Sequence, residues 1–354
     1  MKCIKRITCD DGITSKFIKH ECEPPSGAKA NEIIVKVKAC GLSLIDHKVY
    51  NELFKKQIKK EYTVGQDVCG LVTQVGESVT QIKVGDPVVG VLPLESIYSG
   101  CGEYCVFQQY DVVKKPDNIS FEEAAASIGD CVRSYTALFY HAKICVGDTV
   151  LIMDGASHAG SIAIQLAQHW GAKVLTTYCT QAEKRYLEKL QPPVAHMTEV
   201  SIKNNMLLSS VMEETGGIGV DCFIDNGVRM FTNEEDIKLY HENYTYPIPH
   251  KHDVLSCLSV FGKWVTSQPD LQLDPPDCQQ LFLRGGSVCF LFDQAWIVTY
   301  SQQGRYQHVL KDCIKKLSDG ILKCSITKIV TYEDAVETLK NLSDERVGKV
   351  VLKF

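Results

Sequence analysis

VLIMDGASHAGSIAIQLAQHWGAKVLTT, residues 150–177, is the stretch from which the fold is read. Val150 to Met153 is a short apolar run of strand length. Gly155 and Gly160 mark a turn, and IAIQLAQHW (162–170) is an apolar-rich helical segment. Gly171 stops the helix, and Lys173 to Thr177 reads as a second strand. Strand, turn, helix and strand in this span make one βαβ unit, so a parallel sheet follows. VDCFIDNG (220–227) and a strand near Gly262–Val265 continue that sheet.

Working back from this unit, Ser120 and Glu123 form a capping box that opens a helix through Ala124, Ala125 and Ala126 to His141. Before Ser120 the chain is strand-rich. NEIIVKVKAC (31–40) has alternating apolar positions, and DVCGLVTQVGESVTQIKVGDPVVGV (67–91) is β-branched and punctuated by glycine. Closely spaced short strands of this kind predict a small barrel or sandwich. Working forward, a helix bearing Tyr332, Ala335 and Leu339 precedes a last strand, VGKVVLKF (347–354).

With 354 residues the chain has room for two domains, and 45% hydrophobic residues supply their cores. A formal charge of -5 gives no field that would gather nucleic acid or acidic lipid over the whole molecule. MKCIKRITCDDGITSKF (1–17) has no uninterrupted apolar segment, and no stretch approaches a membrane span, so neither a secretory signal nor a transmembrane anchor is expected. The 16 cysteines are scattered singly, as at Cys69, Cys145, Cys222 and Cys289, which predicts buried reduced thiols and a cytoplasmic location.

Three segments taken in order, VGQDVCGLVTQVGESVTQIKVGDPVVGVLP (64–93), SFEEAAASIGDCVRSYTALFYHAKICVGDTVLIMDGAS (120–157) and GSIAIQLAQHWGAKVLTT (160–177), together with VGKVVL (347–352), resemble the medium-chain dehydrogenase/reductase superfamily. LIMDGAS (151–157), EETGGIGVD (213–221), PHKHD (249–253) and LQLDPPD (271–277) are similar to its quinone oxidoreductase-like branch. The resemblance implies an α/β chain, a GroES-like β-rich domain plus a Rossmann domain with a doubly wound parallel sheet. The first domain would span 1–120, completed by about 300–354, and the second 121–299. NADPH is the implied cofactor and a homodimer the implied assembly.

Zinc-dependent relatives bind the catalytic metal through a cysteine, a Gly-His-Glu histidine and a later ligand. Cys40 stands at the first position, but the triplet reads Gly65-Gln66-Asp67, and glutamine is a poor zinc ligand. The structural-zinc region offers only Cys101 and Cys105, so no zinc is expected. Cys40 reads as a small core residue. His250, His252 and Asp253 on a polar segment could meet at a surface metal, a weak pattern beside the reading that they are ordinary surface residues.

A dinucleotide needs a glycine turn so that backbone N–H groups reach its pyrophosphate. Gly155-Ala156-Ser157-His158-Ala159-Gly160 is shorter than the family loop and lacks its middle glycines, which predicts a weakened NADPH site. The expected cofactor-binding residues are Thr136, Gly155, Ser157, Gly160, Thr177 and Lys184. No acid follows the second strand, so NADPH is expected over NADH. Lys184 and Arg185 would pair with its 2′-phosphate or else are solvated helix residues.

Quinone reduction asks for an apolar slot and polar groups that orient the acceptor. The family's Asn-x-x-Asp-x-Tyr-x-Arg motif falls on Ser43 to Tyr50 and keeps only Asp46. Ser43 and Asp46 are therefore the substrate-side candidates, with Lys48 and Tyr50 as orienting groups, beside the reading that these are turn and surface residues. FTNEEDIKLYHENYTYPIPHKHD (231–253) is long for this point in the family and is either a lid or docking surface, or a tolerated insertion. Lys55, Lys56, Lys59 and Lys60 read as a solvated face, with phosphate or RNA contact as the alternative.

The resemblance also implies partners, because this branch is associated with FERRY, an early-endosomal effector of a Rab-family GTPase that carries mRNA. Nucleic acid would then be reached at most indirectly. A changed glycine loop on a kept fold leans the reading toward a non-catalytic subunit recruited to early endosomes. The alternative is a zinc-independent NADPH-dependent reductase of quinones or enones.

Overall fold

A computed structural model describes residues 1–9, 15–43, 61–201, 206–230 and 247–354. Asp46, Lys48, Tyr50, the lysine run 55–60 and residues 231–246 lie outside the described residues. The chain opens with strands β1 (Lys2–Thr8), β2 (Ser15–Glu21), β3 (Glu32–Leu42), β4 (Glu61–Thr63), β5 (Asp67–Val75), β6 (Pro87–Val91), β7 (Tyr104–Gln108) and β8 (Val112–Lys114). β3 shows why they form. Its Ile33, Ile34, Val35 and Val37 are buried and Lys36 is exposed, so stiff β-branched side chains fill a core face.

Helix α1 (Phe121–Tyr135) starts at the expected capping box. Ser120 Oγ accepts from the Glu123 amide at 3.1 Å, and the Glu123 carboxylate accepts from the Ser120 amide at 2.9 Å. The expected continuation to His141 exists, but as a π-helical segment, Thr136–Ala142.

There follow β9 (Thr149–Ile152), α2 (His158–His169), β10 (Lys173–Tyr178), α3 (Gln181–Leu187), β11 (His196–Glu199), α4 (Leu207–Glu214), β12 (Val220–Ile224), α5 (Lys251–Cys257), β13 (Leu258–Thr266), α6 (Pro275–Arg284) and β14 (Ser287–Phe290). The chain closes with α7 (Ala295–Val298), α8 (Gln303–Ser318), β15 (Ile326–Val330), α9 (Tyr332–Lys340) and β16 (Lys349–Lys353).

The described residues form two compact units, Met1–Val132 with Asp293–Phe354, and Arg133–Phe292. The division falls inside α1 and not before it. Ion pairs are the physical reason: Lys353 binds Glu122 at 2.7 Å and Lys349 binds Asp130 at 2.8 Å, holding α1 on the last strand.

In the first unit β3 is the central strand. β5 lines one side of it, while β7 and β16 share the other, β7 along Glu32–Lys36 and β16 along Ala39–Leu42. The last strand thus returns onto the first domain. Its core includes Ile33, Val35, Phe107, Val350 and Leu352.

In the second unit the strands run parallel in the order β11-β10-β9-β12-β13-β14. That is the doubly wound order, whose reversal between β9 and β12 opens a crevice at the strand C-termini. Leu151, Phe223 and Trp264 fill the core beneath. Two of the four cysteines singled out above depart from expectation: Cys69 and Cys222 are buried, but Cys145 is exposed and Cys289 half-buried. Cys145 sits in the turn before β9, where its amide bonds the Asp148 carboxylate at 2.8 Å and its side chain is exposed.

Candidate functional site

The turn between β9 and α2 is built by close approaches. A Cβ on Gly155 would lie 2.0 Å from Thr176 Oγ1, and one on Gly160 would lie 2.3 Å from the Asp154 carbonyl oxygen. Both positions admit only glycine, because the turn folds directly onto β10 and onto itself. Thr177 joins it from β10: its hydroxyl accepts from the Asp154 amide at 2.9 Å, and its carbonyl accepts from the Gly155 amide at 3.3 Å.

Ser157 is the N-cap of α2. Its Oγ accepts from the Gly160 amide at 3.1 Å and donates to the Asp154 carbonyl at 2.7 Å. A helix N-terminus offers free N–H groups to an anion, and here the serine already occupies one of them. His158 begins the helix and is buried, as is Ala156.

Lys184 reaches the end of β10, where its ammonium stands 5.6 Å from the centre of the Tyr178 ring. Arg185 is exposed. Helix α3 is capped by Thr180, whose side chain accepts from the Glu183 amide at 3.2 Å. Thr136 is buried at the start of the π-helical segment. Ser43, half-buried, follows β3 in the first unit, where the described stretch ends. The structure therefore brings Gly155, Ser157, Gly160 and Thr177 together, with Lys184 at the next strand end.

Sequence reading passed over Asp225, which caps the buried strand β12 at the crevice. Trp264 Nε1 donates to its Oδ2 at 2.6 Å and the Gly227 amide to its Oδ1 at 3.1 Å. Burial pushes its carboxyl above the ordinary value, against the opposite pull of Thr266, Trp264, Gly227 and the Arg133 charge. An acid directly after VDCFI, a run apolar apart from Asp221, was the available signal.

The histidine pair departs from the surface-metal reading. His250 and Lys251 are buried. Lys251 binds Asp277 at 2.9 Å and Asp274 at 2.6 Å, and His252 Nε2 lies 3.1 Å from Asp277. The PHKHD stretch is thus a clamp between α5 and α6. Among the described residues no group of three or more His, Cys, Asp or Glu side chains is arranged to hold a metal. Where a zinc histidine would stand, the Gln66 amide oxygen accepts from Gln294 at 3.1 Å; Cys40 and Cys101 sulfurs lie 3.9 Å apart.

The glycine turn and the first turn of α2 fit a dinucleotide diphosphate in part. Gly155, Gly160 and Thr177 shape the turn, α2 begins directly after it with Ser157 on the Gly160 amide, and Lys184 stands at the end of β10. NADPH bound there would supply a hydride.

Comparison with known proteins agrees with this geometry. The Alcohol dehydrogenase GroES-like domain family matches residues 29–136. Mouse quinone oxidoreductase-like protein 1 is 41% identical over 341 residues, 96% of this chain and 95% of that protein. Human quinone oxidoreductase is 27% identical over 56% of this chain and 58% of its own. The crystal structure of Escherichia coli quinone oxidoreductase complexed with NADPH superposes with a TM-score of 0.78 at 21% identity, covering 100% of both chains. Both the two-unit fold and the near-complete match in sequence lead to one conclusion: this chain belongs to the quinone oxidoreductase-like branch of the medium-chain dehydrogenase/reductase superfamily.

Proposed function

We propose that this chain binds NADPH weakly at the β9–α2 turn and transfers its hydride slowly to quinones or related conjugated carbonyls, without zinc. The observation that carries the reading is the kept turn geometry around Gly155 and Gly160, combined with Ser157 capping its own helix. The turn remains tight enough for a diphosphate, while the cap withdraws one N–H donor. Thr136 and Lys184 complete the proposed cofactor set, and Ser43 and Asp46 are the proposed substrate-side residues, Asp46 falling outside the described residues.

Calorimetry with NADPH and NADH, run beside thermal melts, tests it. A ligand of the folded state raises the melting temperature with concentration. Weak NADPH binding, tighter than NADH and losing that preference in Lys184→Ala, supports the reading. No heat and no melting shift at millimolar NADPH overturns it.

A second reading is a non-catalytic subunit, a homodimer that serves a FERRY-like Rab-effector assembly on early endosomes, with mRNA reached only through partners. What favours it is the free end of the parallel sheet. β14 is the last strand in the sheet, and Phe282, Leu283, Phe290 and Phe292 beside it are exposed. An apolar sheet edge is a pairing template, and a second copy can add to it about a two-fold axis. No described helix is long and apolar enough to cross a membrane, so endosomal recruitment would go through partners. Co-purification with endosomal partners, from a chain that binds no NADPH, would select this reading.

A further inference from the structure

Outside the dinucleotide turn, the second unit carries a hydroxyl, an imidazole and a carboxylate in line. His196 opens β11, which ends the parallel sheet on the side opposite β14. Ser210 and Glu214 lie one turn apart on α4, so both meet the same strand. Ser210 Oγ is 3.0 Å from His196 Nε2, and His196 Nδ1 is 3.1 Å from Glu214 Oε1. Thr198, two residues along β11 and on the same face, places its hydroxyl 2.7 Å from Ser210 Oγ.

With Glu214 ionised and the His196 ring neutral, the donor inventory gives one direction for each hydrogen bond along this line. An ionised Glu214 only accepts, so His196 Nδ1 carries the hydrogen. In the neutral ring Nε2 then accepts, so Ser210 donates to it, and Ser210 Oγ accepts from Thr198. A serine held against Nε2, with an acid on Nδ1, is the arrangement in which imidazole can take a hydroxyl proton and have its new charge stabilised. The site is open to solvent: the His196 and Glu214 side chains are 33% and 31% exposed, and Ser210 is half-buried.

We propose that Ser210 is a nucleophile that accepts acyl groups from activated carboxylic esters, with His196 as its base and Glu214 orienting the ring. Ser210 Oγ bonds to the ester carbonyl carbon while its proton passes to His196 Nε2. The tetrahedral centre then collapses, the ester C–O bond breaks, and the leaving alcohol takes the proton from Nε2. Acyl-Ser210 and free alcohol result, with no change in oxidation state. Water repeats the sequence on the acyl-serine and releases the acid. General-base help supplies about 10²–10⁴-fold, whereas a preformed oxyanion site adds about 10²–10³-fold more. The expected behaviour is slow acylation of a reactive ester, with slower turnover.

The test uses the full-length protein with 4-nitrophenyl acetate and, separately, an alkyl fluorophosphonate, followed by peptide mapping. The expected result is one adduct, on Ser210, formed faster than on any other serine. His196→Gln should slow that labelling by about 100-fold or more, and Ser210→Ala should abolish it with an unchanged melting curve. Adducts spread over many serines with Ser210 unexceptional overturn the proposal. So does an unchanged rate at Ser210 in a folded His196→Gln. Mapping on the unaltered protein decides the matter even where a variant fails to fold.

Discussion

The Lys349 ammonium lies 2.8 Å from the Asp130 carboxylate in a part of the first unit where both side chains are largely buried. Asp67 completes the group at 3.2 Å from the same nitrogen. Burial works against the charge on Lys349, but the two carboxylates prevail and raise its ammonium well above the ordinary lysine value. The group fastens β16 to β5 and α1. Lys349→Met strands two carboxylates and should cost about 3–5 kcal/mol, read as a lower urea midpoint. Adding Asp67→Asn and Asp130→Asn should recover part of that loss. Because the folded value is raised, the contribution is complete below the unfolded lysine pKa and is lost only as pH climbs through the folded one.

Asp111 behaves in the opposite sense. Burial alone pushes its carboxyl up to about 7 from 3.8. Between those values the folded chain holds a proton that the unfolded chain has released, so stability falls as pH rises across the window. Asp111→Asn should therefore match the unaltered protein near pH 4. It should exceed it at pH 8 by on the order of a few kcal/mol. Thermal melts at the two pH values check this, and a pH-independent difference would contradict it.

Ser157 separates stability from affinity. Ser157→Ala removes the cap of α2 and should cost about 1 kcal/mol. Ser157→Gly should cost only a few tenths, roughly, because glycine is a tolerated cap. If the turn receives NADPH, the glycine variant frees the Gly160 amide for the diphosphate and should bind NADPH more tightly. Unchanged or weaker calorimetric affinity would show that the serine hydroxyl does not compete with the cofactor.

The β14 edge predicts an assembly effect. Phe282 and Leu283 are exposed on the last turn of α6, immediately before that strand. Phe282→Glu should shift the protein from dimer to monomer in sedimentation velocity, with its circular dichroism unchanged. A monomeric unaltered protein at micromolar concentration would remove the homodimer from the second reading.

Much of the second unit is legible in the sequence. Val150–Met153 is apolar throughout, as a strand buried on both faces must be, Val220–Ile224 is apolar apart from Asp221, and in the first unit the Ser120–Glu123 box announces its helix through local hydrogen bonds. Gly155 and Gly160 mark a turn in the sequence, but only Gly160 is crowded by near neighbours such as the Asp154 carbonyl, whereas the constraint on Gly155 comes from Thr176 on β10. Other features join residues far apart in the chain: the Lys349 pairs with Asp67 and Asp130, the bond from Trp264 to Asp225, and the clamp of Lys251 on Asp277. No periodicity or spacing encodes them, because the energy of a buried charge is set by whichever partners the packed strands and helices bring within reach. The Ser210–His196–Glu214 line belongs to the same class. Ser210 and Glu214 share a helix face at i,i+4, which the sequence states, but the imidazole between them arrives only when β11 takes its place beside β10.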